Sequence, residues 1–307
     1  MRLEGLHHIT AITGDAPGNV GFYGGVLGLR MVKKTVNQDD PTVYHLFYAD
    51  ERGDPGSDIT FFEYPGVPKG RAGAGTVHRV VWRVSGEGAL DFWERRLNAF
   101  GTDSHRSVDG LQFSDPEGLA HELRVVQTAD DPLTAIHPDI PEGMALQGFD
   151  GVRAYTSASD ASRAFLENAL GFEPASQTAW EVRGERRGAF YAYDAPPARS
   201  ALQGAGSVHH VAWSSPMDDH ASWRDRVAEG GGRPTEIIDR FYFRSIYFRE
   251  PSGVLFEIAT IGPGFDADEP IEHLGEGLSL PPNYEQYRDE LERTLTRLPN
   301  PRSAARS

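Results

Sequence analysis

Three residues that lie far apart in the sequence, His8, His210 and Glu257, have side chains that could hold one divalent metal ion. Two neutral imidazoles and one carboxylate would leave the ion with a single net positive charge and open coordination positions, the pattern of oxygen-activating Fe(II) enzymes. The chain contains no cysteine, so thiolate ligands and disulfides are excluded. Because His8 and Glu257 lie near opposite ends of the chain, such a site requires a fold that brings both ends together.

The elements that must position these residues are repeated along the chain. Residues 5–13 (GLHHITAIT) resemble residues 148–156 (GFDGVRAYT), and residues 75–82 (GTVHRVVW) resemble residues 206–213 (GSVHHVAW). In each copy a strand-like segment precedes a helix-like segment and three further strands, as alternation of apolar residues and turn residues indicate. The predicted units lie near residues 5–65, 75–128, 146–196 and 206–262.

Alignment of the units indicates which residues share a cavity. The equivalent first-strand residues are, in chain order, His8, Arg79, Gly151 and His210. The equivalent last-strand position is Glu122 in the second unit and Glu257 in the fourth. If units one and four share a cavity, it contains the three candidate ligands. The cavity of units two and three would then contain Arg79 and Glu122, an ion pair that needs no metal.

Several other histidines lie beside these positions. Alternation along a strand predicts that His7, His78 and His209 face away from the ligand side. A lone histidine on a strand is more often structural than a ligand. We therefore interpret His78 as structural, and likewise His121, which lies beside Glu122.

Paired βαβββ units with a histidine on the first strand and a glutamate on the last resemble the vicinal-oxygen-chelate superfamily. This superfamily includes glyoxalase I, extradiol dioxygenases and bleomycin-resistance proteins, and the resemblance covers roughly residues 3–262. It implies an α+β fold in which four βαβββ modules pair into two cupped mixed β-sheet domains, followed by a C-terminal helix.

The predicted domains follow the order of the sequence. An N-terminal domain, residues 1–130, contains modules 1 and 2, and a C-terminal domain, residues 146–262, contains modules 3 and 4. The intervening stretch 129–145, rich in Asp and Pro, is interpreted as the linker. Residues 263–307 are predicted to form a loop, an amphipathic helix over residues 283–298 and a frayed tail.

One branch of the superfamily is matched in more detail. Residues 239–260 (DRFYFRSIYFREPSGVLFEIAT) and 43–50 (VYHLFYAD) resemble the ring-cleaving dioxygenases that act on para-hydroquinones. The resemblance implies a small aromatic substrate, O₂ and Fe(II) as partners, with the metal held by ligands from the first and fourth units. It also implies four further residues at the site, with two beside the substrate and two near the metal: Tyr247, Arg240, His7 and Thr10.

Two other functions stay open from the sequence. A glyoxalase-I-like isomerase would bind Zn or Ni through four protein ligands, with Glu63 at the end of unit one as the fourth. A non-catalytic binding protein of the bleomycin-resistance type would need no metal. The identity of the metal is open as well, because two histidines and a carboxylate also bind Mn, Zn or Ni.

The composition excludes some partners. A net charge of −15 and a pI near 5.1 argue against nucleic acid, because phosphate binding requires clustered positive charge. The sequence has no apolar stretch of membrane-spanning length and no signal-peptide pattern, so we expect a cytoplasmic protein without membrane contact. The lysines are only Lys33, Lys34 and Lys69, a scarcity that either a halophilic source or a high-GC genome would produce. The sequence leaves the oligomeric state open, and a homodimer is one possibility because dimers are common among soluble proteins.

Overall fold

The structure, a computed structural model, describes residues 1–299, and their strands form two eight-stranded mixed sheets. Each predicted unit contains a strand, a helix and three further strands, so the predicted α+β fold of four βαβββ modules in two sheets is confirmed. The strands, labelled in chain order, are β1 (Leu6–Thr13), β2 (Arg30–Asn37), β3 (Asp40–Ala49), β4 (Asp58–Glu63), β5 (Thr76–Val84), β6 (Ser104–Arg106), β7 (Leu111–Ser114), β8 (Ala120–Val125), β9 (Phe149–Tyr155), β10 (Glu173–Pro174), β11 (Ala179–Arg183), β12 (Gly188–Asp194), β13 (Val208–Ser215), β14 (Ile238–Asp239), β15 (Phe243–Arg249) and β16 (Leu255–Pro263).

The helix of each unit lies between the first and second strands of that unit, and a further helix follows β16. The α-helices are α1 (Ala16–Val20), α2 (Glu87–Ala99), α3 (Ser159–Ala164), α4 (His220–Glu229) and α5 (Arg288–Thr294). Two of them, α1 and α3, continue as π-helix over Gly21–Val26 and Phe165–Ala169. Single 3₁₀ turns occur at Glu142–Met144, Met217–Asp219, Phe265–Ala267, Ile271–His273 and Glu285–Tyr287. None of the helices within residues 1–299 combines the length and the apolar character needed to cross a membrane.

Each sheet combines one unit from either half of the chain. The first sheet has the order β14-β15-β16-β13-β1-β4-β3-β2, and units four and one meet where β13 pairs antiparallel with β1. The second sheet has the order β10-β11-β12-β9-β5-β8-β7-β6, with β9 antiparallel to β5. The predicted domains, modules 1 and 2 in residues 1–130 and modules 3 and 4 in residues 146–262, therefore do not describe the sheets. Neither segment forms a sheet of its own.

The helices cover one face of each sheet through large apolar side chains. Trp93 of α2 and Trp223 of α4 are fully buried, and Phe61 of β4 packs against Tyr23 of the first π-helix with ring centres 4.5 Å apart. Each buried aromatic side chain removes roughly 150–250 Å² from water. Because alternate residues of a strand face opposite sides, burial of this face leaves the other face of the first sheet for polar residues.

The segment after β16 packs against the edge of the first sheet. Its helix α5 is shorter than the helix predicted over residues 283–298, and a 3₁₀ turn precedes it. The helix ends because Leu295 adopts an extended backbone, with ψ of 148°, and its buried side chain packs against the core. The predicted frayed tail, apart from Pro299, lies outside the described residues.

Lys33 on β2 holds this C-terminal segment. Its fully buried ammonium donates hydrogen bonds to Asp268 at 2.8 Å and to Glu269, and lies 3.4 Å from the hydroxyl of Ser279. The same nitrogen lies 4.8 Å from the centre of the Tyr242 ring. Removal of one partner from such a buried pair leaves the other charge without compensation, and this costs more than the intact pair contributes.

Replacement of Lys33 by methionine should lower the free energy of unfolding by about 3 kcal/mol, because Asp268 and Glu269 lose their counter-charge. Urea denaturation would measure the change. The control is Lys69→Met, at an exposed residue whose ammonium bonds only a backbone carbonyl, and it should change stability by less than about 0.5 kcal/mol. Equal denaturation midpoints for the two variants would contradict the role of Lys33.

Candidate metal centre

The three candidate ligands, on β1, β13 and β16, meet within the first sheet. His8 Nε2 lies 3.3 Å from His210 Nε2 and 3.1 Å from Glu257 Oε2, and His210 Nε2 lies 2.9 Å from the same oxygen. Atoms that bind one ion at about 2.1 Å and at right angles lie about 3 Å apart, so these spacings suit a common ion. Among residues 1–299, this is the one group of three His, Asp or Glu side chains close enough to share an ion.

The chemistry of the donor set also fits a divalent ion. All three side chains are buried, and Glu257 is fully so. Glu257 Oε1 accepts a hydrogen bond from Ser245, whereas Oε2 accepts none of good geometry although both imidazoles face it. Burial would raise the pKa of Glu257, but His8 and His210 hold that pKa well below its ordinary value, so the carboxylate is ionised. Burial lowers the pKa of His210 and favours its neutral form, whose lone pair can bind a metal.

Two irregularities in the β1–β13 ladder direct neighbouring histidines toward these ligands. Alternation predicts that His7 and His209 face away, but the register of the pairing shifts at both places. A bulge adds one residue to a strand and redirects its side chains. His7 Nδ1 lies 2.9 Å from His8 Nδ1, and His209 Nδ1 lies 2.8 Å from His210 Nδ1. Alternation along a regular strand does not predict the contact of His209 with His210, because alternation holds only for regular pairing. The sequence signal is the doubled His-His pair itself.

The contact with His7 selects one tautomer of His8. If His8 Nε2 binds an ion, its Nδ1 carries the proton and donates to His7 Nδ1. His7 then carries its own proton on Nε2, which lies 3.0 Å from the carbonyl oxygen of Thr260 and donates to it. Burial, followed by the neighbouring His8, lowers the pKa of His7 to about 3, so this ring stays neutral. His7 therefore orients His8 and is not itself among the grouped ligands.

The place that corresponds to Glu257 in unit one holds a threonine. Glu257 pairs with Ala212 in its ladder, and at the equivalent register Thr60 pairs with Thr10. Glu63, considered above as a fourth ligand, lies three residues further along β4 and so faces the opposite side of the sheet. There it accepts a hydrogen bond from the C-terminal segment at 2.9 Å. The structure therefore does not bring Glu63 to the metal group.

Thr10 belongs to a chain of hydrogen bonds that leads from the ligands into a pocket. Its hydroxyl lies 2.9 Å from that of Thr60, which in turn lies 2.9 Å from Nε2 of His45 on β3. Burial, with the charges of His8 and His210, lowers the pKa of His45 well below its ordinary value, so this imidazole is neutral. Sequence reasoning predicts no role for His45, although it lies inside the matched segment 43–50.

This pocket opens beside His210 and has aromatic walls. Phe47, Phe62 and Phe243 line it, and residues 37–39 of the β2–β3 turn form part of its rim. Its enclosed volume is about 40 Å³, which is room for a few water molecules. A benzene-sized ring occupies a cavity of about 150 Å³. The wall must therefore widen before an aromatic ring can reach the metal group.

Arg240 connects Tyr247 with the rim of the pocket. Its Nε donates to the Tyr247 hydroxyl at 3.3 Å, and its two terminal nitrogens donate to the Asp39 carboxylate, each at 3.3 Å. The Tyr247 ring centre lies 5.5 Å from that of His210. Burial raises the pKa of Tyr247 above its ordinary value, so the phenol keeps its proton near neutral pH. Both residues thus line the pocket beside one candidate ligand.

The equivalent place in the second sheet holds the predicted ion pair. Arg79 donates to Glu122 Oε2 at 2.9 Å, and Gln112 donates to the same oxygen at 3.0 Å. The third position is Gly151, where an added Cβ would lie 2.5 Å from the ring of Phe190. A phenylalanine ring therefore fills the space that a histidine at this position would occupy, and the carboxylate is already neutralised by arginine.

The two histidines interpreted as structural have protein partners away from the metal group. His78 Nε2 lies 2.8 Å from Asp194 Oδ2. His121 is fully buried, accepts a hydrogen bond from the indole of Trp82 at 3.1 Å, and lies 3.0 Å from the Tyr23 hydroxyl. These contacts satisfy both rings within the fold.

The chain matches the family model of the Glyoxalase/Bleomycin resistance protein/Dioxygenase superfamily over residues 5–123 and 148–258. It is 40% identical to MhqO of Bacillus subtilis (strain 168), provisionally named a ring-cleaving dioxygenase, over 95% of either chain. It is 35% identical to the chlorohydroquinone/hydroquinone 1,2-dioxygenase of Sphingobium indicum over 96% of either chain. A crystal structure of a Bacillus subtilis protein, provisionally described as a dioxygenase, has a TM-score of 0.91 at 37% identity and covers 97% of this chain and 98% of that chain.

Divalent metal ions should stabilise the protein through His8, His210 and Glu257. At a free concentration about a hundredfold above its Kd, an ion should add about 2.7 kcal/mol to the free energy of unfolding. Glu257→Gln should remove most of this gain because it removes the charged ligand. Thermal unfolding of metal-free protein titrated with Mn²⁺ or Zn²⁺ would measure the effect.

The matched control for this titration is Glu122→Gln, at the equivalent position of the second sheet. This variant should keep the full response to metal even if its basal stability changes, because Arg79 and not an ion is the partner of Glu122. An equal loss of the metal response in both variants would show that the ion binds elsewhere.

Proposed function

This chain belongs to the glyoxalase/bleomycin resistance protein/dioxygenase superfamily, and we propose that it is a ring-cleaving dioxygenase of para-hydroquinones. The observation that carries the proposal is the convergence of His8, His210 and Glu257 beside a pocket with aromatic walls. The relative named for hydroquinone cleavage aligns over 96% of the chain, which supports this substrate class. The reaction would be of the extradiol type, with O₂ inserted between a hydroxyl-bearing ring carbon and its neighbour.

We infer that the resident ion is Fe(II), held by His8, His210 and Glu257. Two imidazoles and one carboxylate leave adjacent coordination positions open for a hydroxyl of the substrate and for O₂. When bound there, iron supplies the path by which electron density passes from the ring to O₂. Mn, Zn and Ni suit the same donors, so activity after loading identifies the native ion better than affinity does.

Tyr247 would donate a proton at the substrate, and Arg240 would stabilise negative charge there. The neutral phenol of Tyr247 can donate a hydrogen bond to the substrate or to O₂ and return a proton during ring opening. Arg240 orients this phenol through its 3.3 Å hydrogen bond, and its permanent positive charge favours negative charge that develops nearby. Arg240 is thus a positioning residue, whereas Tyr247 would touch the reacting atoms.

His7 and Thr10 would support the metal site without binding the ion, through hydrogen bonds to His8 and to Thr60. His7 fixes the tautomer and the orientation of His8 through their 2.9 Å contact. The hydroxyl of Thr10 bonds that of Thr60, the neutral residue at the position equivalent to Glu257. A three-ligand site keeps the positions that oxygen chemistry requires, whereas an isomerase with Glu63 as a ligand would lose one of them.

Oxygen consumption tests the proposed function directly. Protein loaded with Fe(II) in the absence of air should take up O₂ when hydroquinone is added, and His210→Ala should take up none. Glu63→Gln should keep both metal and activity, because Glu63 faces away from the ligands. Formation of lactoylglutathione by the Zn- or Ni-loaded protein, without O₂ uptake by the Fe(II) form, would favour the isomerase instead.

Replacement of Tyr247 by phenylalanine should lower kcat by roughly 10²-fold, because the proton donor is lost while the aromatic wall is kept. KM and bound iron should change little, since Tyr247 is not a ligand. Steady-state O₂ uptake would separate the two parameters. Tyr287→Phe, at an exposed tyrosine outside the pocket, serves as the control and should leave kcat unchanged. A Tyr247 variant with normal kcat would remove this residue from the mechanism.

A further inference from the structure

Two polar side chains in the wall of the pocket have a hydrogen-bonding atom without a partner among residues 1–299. Thr35 on β2 and His45 on β3 are direct partners in the antiparallel ladder, so their side chains lie side by side on one face. The Thr35 hydroxyl is buried and bonds no other residue in the described part of the chain. His45 uses Nε2 for Thr60, while its Nδ1 has no partner within residues 1–299. Both residues line the pocket beside His210.

An unpaired buried hydroxyl is uncommon, because a polar group that leaves water without a new partner loses its hydration. The aromatic part of the wall, formed by Phe47, Phe62 and Phe243, offers no such partner. The His45 ring packs between Phe47 and Phe62, whose ring centres lie 4.0 and 4.4 Å from its own. Its hydrogen bond to Thr60 also fixes the orientation of the ring. The pair is therefore a rigid polar patch in an apolar wall.

The other polar side chains near the mouth of the pocket already hydrogen-bond within the protein, and of these Tyr247 keeps a proton that it can donate to the reacting end of a substrate. Arg240 bonds Tyr247 and Asp39, and Gln38 donates to the Arg240 carbonyl oxygen at 2.9 Å. Asn37 accepts a hydrogen bond from the Asp39 N–H at 3.0 Å. A ligand that enters the pocket thus finds free hydrogen-bonding capacity at Thr35 and His45.

A para-hydroquinone carries its two hydroxyls at opposite ends of the ring. When one of them binds the metal, the other points away from it and must find a donor or an acceptor in the wall of the pocket. A threonine hydroxyl and a neutral imidazole can supply both functions to a single hydroxyl. An ortho-diol differs, because both of its hydroxyls lie on the side of the ring that faces the metal.

We propose that Thr35 and His45 bind the second hydroxyl of the substrate and so select para-diols over phenols and ortho-diols. This inference rests on the proposed function and names the residues that determine its substrate class. Selection follows because an analogue without the far hydroxyl leaves the polar patch unpaired, and a site built to bond a hydroxyl discriminates strongly against its absence.

Binding of hydroquinone and phenol, measured without O₂ on Mn²⁺-loaded protein by calorimetry, tests the assignment. Phenol keeps the hydroxyl for the metal and lacks the second one. The native protein should bind hydroquinone more tightly, and Thr35→Val, which keeps the shape of the side chain, should reduce this preference about fivefold to tenfold. His45→Phe should reduce it similarly, and the double variant should bind both compounds almost equally.

Controls separate recognition from structural damage. Thr102→Val, in a loop that lines a cavity of the second sheet, should leave the preference unchanged. Bound metal and phenol affinity should stay normal in Thr35→Val, because neither depends on the second hydroxyl. His45→Asn, which keeps a donor and an acceptor, should retain part of the preference if the phenylalanine variant folds poorly.

The outcomes also separate this inference from the proposed function. Equal weakening of hydroquinone and phenol by Thr35→Val would overturn the assignment, as would a native protein that binds both compounds equally. A native protein that prefers hydroquinone but takes up no O₂ after Fe(II) loading would overturn the dioxygenase proposal and leave the binding assignment standing.

Discussion

The antiparallel pairing of β1 with β13 is the interaction on which the metal centre depends. It joins the first and fourth units in one sheet and places Thr10 opposite His210, while β16 enters the same sheet beside β13 and contributes Glu257. A change of register by one residue would turn every side chain of a strand to the other face. The ligand spacings near 3 Å therefore reflect the register of this one ladder, and the two irregularities in it are part of the site.

Internal repetition made the fold and the ligand set predictable from one sequence. Equivalent repeat positions predicted that, if units one and four share a cavity, Arg79 pairs with Glu122 in the other, and the structure contains both the shared sheet and the ion pair. The sheets do not follow the predicted order of the domains, because repeats reveal the units but not which of them pair. The contact of His209 with His210 was not predicted because the place of a ladder irregularity cannot be located from residue types, and the role of Glu63 stayed open because register alone separates it from Thr60.

The two sheets show how little of the chemistry belongs to the fold itself. Both have the same strand arrangement, and both pair their central strands with the same kind of irregular register. In the second sheet arginine satisfies the carboxylate of Glu122, and the ring of Phe190 fills the space beside Gly151. In the first, one oxygen of Glu257 has no hydrogen-bond partner among residues 1–299. This oxygen without a partner is what allows the first sheet to bind an ion.

In the sequence, the strands of the second sheet lie between the two groups of strands that form the first sheet, and this order has a consequence for biosynthesis. All strands of the second sheet lie between residues 76 and 194, whereas the first sheet needs strands from both ends of the chain. As the polypeptide leaves the ribosome, the inner sheet can close while β1 to β4 still lack their partner. Only when β13 to β16 emerge does β1 gain a partner on its open side, so His8 cannot share an ion with His210 and Glu257 until most of the chain has been made. Until then, the nascent protein carries an open strand that invites mispairing.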